Sequence, residues 1–219
     1  MHVVVPFAGE TPKSRLASVL DPEERRQLAC AMLADVCVTI RATGLEPTVV
    51  STTALAPPPT ASADVATALE AVRTRVDDRP LSEAVNAVLE THVDRQSAAV
   101  AIVMADLPLI RSATLEALVE QPGDVVIAPG RGGGTNALVV RHPAFRTDYH
   151  GASYLDHRRI ADDIDADTTV VDSFRLATDV DEPDDLVEAW LHGGPHTRAA
   201  LEALGFALER TAGRVELTR

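Results

Sequence analysis

Lysine is almost missing from this sequence: of its 20 basic residues only Lys13 is one, the rest being arginine. Positive charge as a whole is short, because 33 Asp and Glu leave a formal net charge of −13. That much acid repels a phosphate backbone, which argues against nucleic acid as a partner. Aromatic residues are scarce at 3%, too few for the stacking platforms on which single-stranded nucleic acids lie. Long apolar runs are missing too. None approaches the ~20 residues of a membrane-spanning helix, and no charged start followed by an apolar core marks a leader at the amino terminus. The expectation is a soluble, cytoplasmic protein with no membrane partner. The two cysteines, Cys30 and Cys37, fall in one predicted helix, where seven residues of rise separate their Cα atoms by about 10 Å, beyond the ~7 Å reach of a disulfide. They are expected to be free thiols in a reducing compartment. Acidic excess, near-absence of lysine and reliance on small Ala and Val read as adaptation to a salt-rich cytoplasm, where screening relieves self-repulsion. The alternative is an ordinary acidic protein from a GC-rich genome.

Familiar nucleotide and metal signatures are missing as well. There is no G-x-x-x-x-G-K-[ST] loop and no G-x-G-x-x-G opening a helix after a strand. None of the seven histidines pairs with a cysteine at zinc-ligand spacing. Neither Ser153 nor either cysteine has the sequence context of a nucleophile. No internal repeat and no long linker divides the chain.

What is present is an alternation of short apolar runs and amphipathic stretches. Strands are expected at Val3–Val5, Pro47–Thr52, Val72–Val76, Ala98–Met104, Asp124–Ala128, Ala137–Arg141 and Thr168–Val171. The run Ala98–Met104 is apolar throughout, as central parallel strands are. A helix starts at Asp21-Pro22-Glu23-Glu24, with an N-cap, a first-turn proline and acids at the positive end of the dipole, and stops at Gly44. Further helices are expected at Ala63–Ala71, Leu81–His92, Ser112–Gln121 with Ser112 as cap, Ser153–Asp163, Pro183–Leu191 and Thr197–Leu204. A hairpin around Gly213 closes the chain. The 219 residues read as one domain, 1–219, whose core covers about 1–191 and whose tail, 192–219, adds the last helix and the hairpin. The fold class is α/β: a three-layer α/β/α arrangement around a mostly parallel mixed sheet.

Three places set polar groups directly after an apolar strand, at the sheet end where open α/β folds bind ligands. The first is Val3–Leu16, VVVPFAGETPKSRL, where Pro6 stops the strand, Gly9 permits close backbone approach, and Lys13 and Arg15 meet negative charge. The alternative is a solvated loop with a chance lysine. The second is Asp106, in Ala105-Asp106-Leu107-Pro108, either a ligand-facing carboxylate or the cap of a turn. The third is Asp179-Val180-Asp181, whose carboxylates at i and i+2 share a face of an extended segment and repel unless a cation lies between them. Asp181 could equally be the N-cap of the helix that follows. Asp106, Asp179 and Asp181 form a hard-oxygen set suited to Mg²⁺. Gly132-Gly133-Gly134 reads as a lip whose backbone N–H groups could take an anion, or as a plain tight turn.

The order of these pieces carries a resemblance. A strand and a loop ending in Lys-Ser-Arg-Leu, then Ala-Asp-Leu-Pro, Gly-Gly-Thr-Asn, Gly-Ala-Ser and Asp-Val-Asp-x-Pro-x-Asp-Leu: the series resembles the 2-phospho-L-lactate guanylyltransferase family, from Val3 to about Leu191. It implies a Rossmann-like, GT-A-like nucleotide-diphospho-sugar transferase fold, related to the molybdenum-cofactor guanylyltransferases. It also implies GTP and 2-phospho-L-lactate or phosphoenolpyruvate as substrates, Mg²⁺ as cofactor, a homodimer, and a product that feeds assembly of the deazaflavin coenzyme F-420. On that resemblance Pro6, Gly9, Lys13, Arg15, Leu81, Ser82 and Asp106 match the nucleotide site, with Lys13 and Asp106 catalytic. Asp106, Asp179 and Asp181 match the metal ligands. Thr135, Asn136, His150 and Ser153 match the pocket for the acid. Two positions depart from the family pattern: His150 stands where glycine is usual, and Ser82 replaces an asparagine near the guanine. The competing readings are a nucleotidyltransferase for another acceptor, such as molybdopterin or a sugar phosphate, and a nucleotide-binding protein without turnover.

Overall fold

Runs of valine, isoleucine and alanine that are apolar on both faces can only be inner strands, and they make the sheet. The computed structural model describes residues 1–9, 12–93, 99–211 and 213–219. Glu10 and Thr11 of the opening loop, and Ala98 at the expected start of the central strand, lie outside the described residues. The strands are β1 (His2–Phe7), β2 (Pro47–Ser51), β3 (Arg73–Val76), β4 (Val100–Val103), β5 (Val125–Pro129), β6 (Thr135–Val140) and β7 (Thr168–Val170). They form one seven-stranded sheet in the order β3-β2-β1-β4-β6-β5-β7. Among the described strands of this sheet β6 alone runs against its neighbours, inserted between β4 and β5. The expected mostly parallel mixed sheet is what forms.

Helices cover both faces. They are α1 (Pro22–Ala42), α2 (Ala63–Glu70), α3 (Leu81–His92), α4 (Ser112–Val119), α5 (Ser153–Asp163), α6 (Phe174–Ala177), α7 (Asp185–His192) and α8 (Pro195–Ala203). One core layer packs Val3, Val5, Ala101 and Val103 against α1, and against α4, α7 and α8 beyond it. The other packs Val4, Ile102, Leu138 and Val140 against α3 and α5. α1 begins in a capping box, Asp21 accepting from Glu24 N–H while the Glu24 carboxylate accepts from Asp21 N–H. Its middle is buried from Gln27 to Cys37, because the sheet, α2, α4 and α8 enclose it. Within that helix Asp35, 3% exposed, accepts from the backbone N–H of His196 at 3.1 Å and of Thr197 at 2.8 Å. It thus caps α8 from a neighbouring helix. Gly194 makes room for this, since a Cβ there would lie 2.2 Å from Asp35 Cγ.

Helix starts are where local reading and structure part. Ser112 does not cap α4; it is the first helical residue, and Arg111 holds the cap position with extended backbone and no side-chain cap. The Arg111 guanidinium donates instead to the carbonyls of His192 and Gly193 at the end of α7. α7 starts at Asp185 rather than Pro183, and Asp181 is not its cap. The direction is the reverse: the Asp185 carboxylate accepts from Asp181 N–H and Glu182 N–H. The single turn α6, capped by Ser173, is too short to leave a periodic signal. The tail hairpin, β8 (Ala207–Thr211) with β9 (Arg214–Thr218), forms a second, antiparallel sheet. No helix among the described residues is long and apolar enough to cross a membrane.

Candidate functional site

Lys13, Asp106, Thr135 and Asn136 belong to the end of the sheet where β1 and β4 finish and the antiparallel β6 begins. Lys13 reaches it by an unusual backbone. Its φ of 58° and ψ of 45° place it in the left-handed region, which costs a non-glycine residue roughly 1–2 kcal/mol. The Lys13 carbonyl accepts from Leu16 N–H to open a short 3-10 turn, and the fully buried Leu16 anchors the loop. Strain held in this way is a mark of functional loops. Its outcome is the position of the side chain, which is 10% exposed and sets Nζ 2.5 Å from Asp106 Oδ2 and 2.6 Å from Asp181 Oδ1. The solvated chance lysine is thereby excluded. Burial by itself lowers the pKa of the ammonium, but the facing carboxylates of Asp106 and Asp181 outweigh it and the net displacement is upward. Lys13 stays charged.

The Asp-x-Asp segment is pinned through its middle residue. Val180 is fully buried, and its N–H donates to the Asp106 carbonyl at 3.1 Å. The flanking carboxylates therefore turn together toward the end of β4, as their i, i+2 spacing predicts. Asp179 Oδ1 accepts from Asn136 Nδ2 at 3.0 Å. Burial raises the Asp179 pKa, with repulsion from Asp106 and Asp181 adding to it and the Asn136 hydrogen bond opposing it. One oxygen from each of Asp106, Asp179 and Asp181 falls within 4.8 Å of the others. Opposite ligands of an octahedral Mg²⁺ lie about 4.2 Å apart, so the trio suits such an ion with a slight closing of the side chains. Three carboxylates against one ammonium also leave negative charge for a divalent cation to neutralise, and an all-oxygen donor set selects a hard one.

A cleft of about 280 Å³ adjoins this cluster, lined by Lys13 and Asp106 and also by Pro6, Leu81, Asp77 and Arg79. Arg79 grips Asp77 side-on, Nε 2.8 Å from Oδ1 and Nη2 2.6 Å from Oδ2, and this holds the Asp77 carboxyl down at about 2. Gly9 lies just outside the cleft with its N–H donating to Thr52 Oγ1 at 3.2 Å. Arg15 is well exposed at the rim, 3.8 Å from Asp181. Ser82 is turned away, its hydroxyl accepting from Tyr149 N–H at 2.9 Å.

The expected acid-pocket residues divide. A β-bulge at the start of β6, where Pro129 pairs with Thr135 and Ala128 with Ala137, leaves Asn136 unpaired with β5. Its side chain turns to Asp179 and to the Leu176 carbonyl, while Thr135 faces α5. Bulges beside ligand sites re-aim side chains in this way. Thr135 and Ser153 are both buried at this edge, at 3% and 4% exposure. His150 stays outside, exposed and paired with Asp148. The glycine lip is a tight turn: the N–H groups of Gly130 and Gly133 bond within it, and Tyr154 N–H donates to the Gly133 carbonyl. Sequence reading passed over the Asp77–Arg79 pair and His157, whose Nδ1 lies 2.8 Å from Thr135 Oγ1. The i, i+4 spacing of Ser153 and His157 on one helix was the available signal.

Comparison with known proteins places the geometry. The model of a family described as guanylyl transferase CofC like matches residues 1–218. A protein of Haloterrigena turkmenica named 2-phospho-L-lactate guanylyltransferase is 54% identical, covering 100% of this chain and 97% of its own length. A protein of the same name from Natrialba magadii is 55% identical over 100% of this chain and 99% of its own. Among solved structures, a Desulfovibrio desulfuricans protein provisionally described as a nucleotide-diphospho-sugar transferase superposes with a TM-score of 0.69 at 14% identity, covering 93% of this chain and 97% of that one. A Methanothermobacter nucleotidyl transferase gives 0.56 at 18% identity, with 85% and 95% covered. These two show the shared fold.

Proposed function

The chain belongs to the CofC-like guanylyl transferase family, and from that premise we propose that it joins GTP to 2-phospho-L-lactate or phosphoenolpyruvate and releases diphosphate. The observation that carries the reading is the Lys13 ammonium clasped by Asp106 and Asp181, with Asp179 beside them, at the mouth of the cleft. In the reaction a phosphate oxygen of the acid bonds to the α-phosphorus, and the bond from that phosphorus to the oxygen bridging it to the β-phosphate breaks. The nucleophile is already anionic, so no general base is needed. The task is to hold two polyanions together and to neutralise the charge that collects on the departing diphosphate.

Lys13 supplies a mobile point charge for the triphosphate, and Arg15 meets it from the rim. Gly9 lets the loop backbone come close to phosphate. Asp106, Asp179 and Asp181 hold Mg²⁺, which when bound supplies charge neutralisation and Lewis acidity at phosphate oxygens. Pro6 and Leu81 wall the nucleoside end, where Asp77 and Arg79 offer the polar groups. Thr135 and Ser153 serve the acid, Asn136 acts through Asp179, and His150 stays exposed beside Asp148. The haloarchaeal relatives and the net charge of −13 support a salt-rich working medium.

The test is diphosphate release from GTP by the purified protein in molar KCl with Mg²⁺. Release that depends on either acid is expected. No release with either acid removes the reading, and release with a sugar phosphate instead reassigns the acceptor. Asp106→Asn should keep the fold and lose roughly a hundredfold or more in turnover; full activity in that variant would remove the metal assignment.

A further inference from the structure

We infer that His157 is a positioning residue that fixes the Thr135 hydroxyl as an oriented hydrogen-bond donor to an oxyanion of the acid substrate. The inference rests on the proposed acid acceptor and adds to it a residue that does not touch the substrate.

His157 is fully buried on α5. Its Nε2 lies 3.0 Å from the backbone N–H of Asp148. A backbone amide can only donate, so Nε2 is the acceptor and carries no proton. The ring proton is therefore on Nδ1, which lies 2.8 Å from Thr135 Oγ1, and Nδ1–H donates to that oxygen. Burial supports the assignment by holding the imidazole pKa down at about 4, so the ring is neutral at physiological pH. Tyr149 packs edge-on to the ring at 5.0 Å between centroids and Phe145 at 6.0 Å, which keeps it from rotating.

The consequence falls on Thr135. Its oxygen is occupied as an acceptor by His157, so its own proton must be donated elsewhere, and among the described residues no acceptor for it is found. The residue is 3% exposed, and buried polar groups are nearly always satisfied. An unsatisfied hydroxyl proton at the ligand end of the sheet is a donor held ready for an anion. The bulge at Asn136 is what turns Thr135 toward α5 while its neighbour supports Asp179. One strand end thereby serves both halves of the reaction. A donor of fixed direction favours an ionised carboxylate or phosphate oxygen and rejects a cationic group, which has no acceptor to offer, at the same place.

The experiment measures equilibrium binding of phosphoenolpyruvate, 2-phospho-L-lactate and GTP by calorimetry in molar KCl, for the wild type, His157→Phe and His157→Asn. The phenyl ring fills the space without a donor, while the asparagine amide places N–H near the position of Nδ1. The expected result is acid affinity lowered about ten- to a hundredfold in His157→Phe, GTP affinity within about twofold of wild type, and most of the acid affinity restored in His157→Asn. A residue serving only the fold would lower the thermal midpoint and both affinities together, and asparagine would not rescue it. Acid affinity unchanged in a folded His157→Phe overturns the inference alone; no binding of either acid to the wild type overturns the proposed function with it. If His157→Phe does not fold, Thr135→Val should lose acid affinity and Thr135→Ser keep it, and wild-type affinity in Thr135→Val is the overturning result. NMR of the ring nitrogens gives a second, independent reading: an Nε2–H tautomer in the native protein overturns the assignment.

Discussion

At the scale of residues, two charged or chargeable side chains are placed at a cost that their surroundings offset. Lys13 takes a left-handed backbone and a mostly buried ammonium, and two carboxylates at hydrogen-bond distance compensate for both. Replacing Lys13 with methionine leaves Asp106, Asp179 and Asp181 facing one another with no cation but the exposed Arg15 guanidinium, 3.8 Å from Asp181. The expected loss is about 2 kcal/mol at low salt, the range for a charge-assisted hydrogen bond in a partly screened site. Mg²⁺ should restore more of the thermal midpoint in that variant than it adds to the wild type, because the metal no longer competes with the ammonium for the same oxygens. An equal Mg²⁺ shift in both proteins would show that the two cations do not share a site. His157 carries a pH signature of the opposite kind. Its pKa falls from 6.5 to about 4 on folding, so between those values the unfolded chain binds the extra proton. Stability from this group is therefore complete above about pH 6.5 and is lost as the pH falls toward 4. Thermal unfolding of the wild type and His157→Asn across that window should show the steeper acid loss in the wild type; parallel curves would contradict the buried neutral imidazole.

At the scale of elements, the arrangement that matters most is the first residue pair of β6. Because β6 runs against β4, its beginning lies beside the end of β4, and Met104 N–H donates to the Asn136 carbonyl at 3.0 Å. The bulge then sends Asn136 and Thr135 to different partners. Asn136→Ala removes the donor to Asp179. Partners of this kind behind metal ligands are worth roughly 10–100-fold in metal affinity or activity, so Mn²⁺ titration should weaken by that factor while circular dichroism stays native. An unchanged titration would mean that Asp179 needs no support from β6.

At the scale of the whole molecule, a chain with 33 acidic residues has an apolar core in which Val, Leu, Ile and Ala fill both layers, Asp35 being a buried exception. The tail folds back onto the body, Arg219 pairing with Glu24 at the start of α1 and lying over the Phe206 ring at 5.8 Å. A net charge of −13 repels itself at low ionic strength, where the Debye length is long, and much less at 1 M, where it is about 3 Å. The thermal midpoint should therefore rise steadily from 0.05 to 2 M KCl. A midpoint that falls with salt would mean that ion pairs such as Arg219–Glu24 and Arg131–Asp185 outweigh the general repulsion.

The sequence by itself determined the fold class, most strand and helix positions to within a few residues, the free thiols and the order of the polar loops that follow the strands. Each of these depends on periodicity, on apolar runs or on breakers, which are local properties of a chain. Leu81–His92 was legible to the residue because its apolar face begins and ends at clear signals, whereas the start of the helix Ser153–Asp163 was legible only approximately, within an irregular stretch from Tyr149. The tertiary structure decided the rest. That Lys13 reaches both Asp106 and Asp181 follows from β1 and β4 being neighbours and from Val180 bonding to the Asp106 carbonyl, neither of which spacing along the chain reveals. Asp181 looked as much like a helix cap as a ligand, and only the structure shows α7 starting four residues on at Asp185, which accepts from Asp181 N–H while the Asp181 carboxylate turns to Lys13. Asp35 was silent in the sequence, and His157 was marked only by its i, i+4 spacing from Ser153, because a buried polar side chain gains its meaning from the partner across the core that satisfies it.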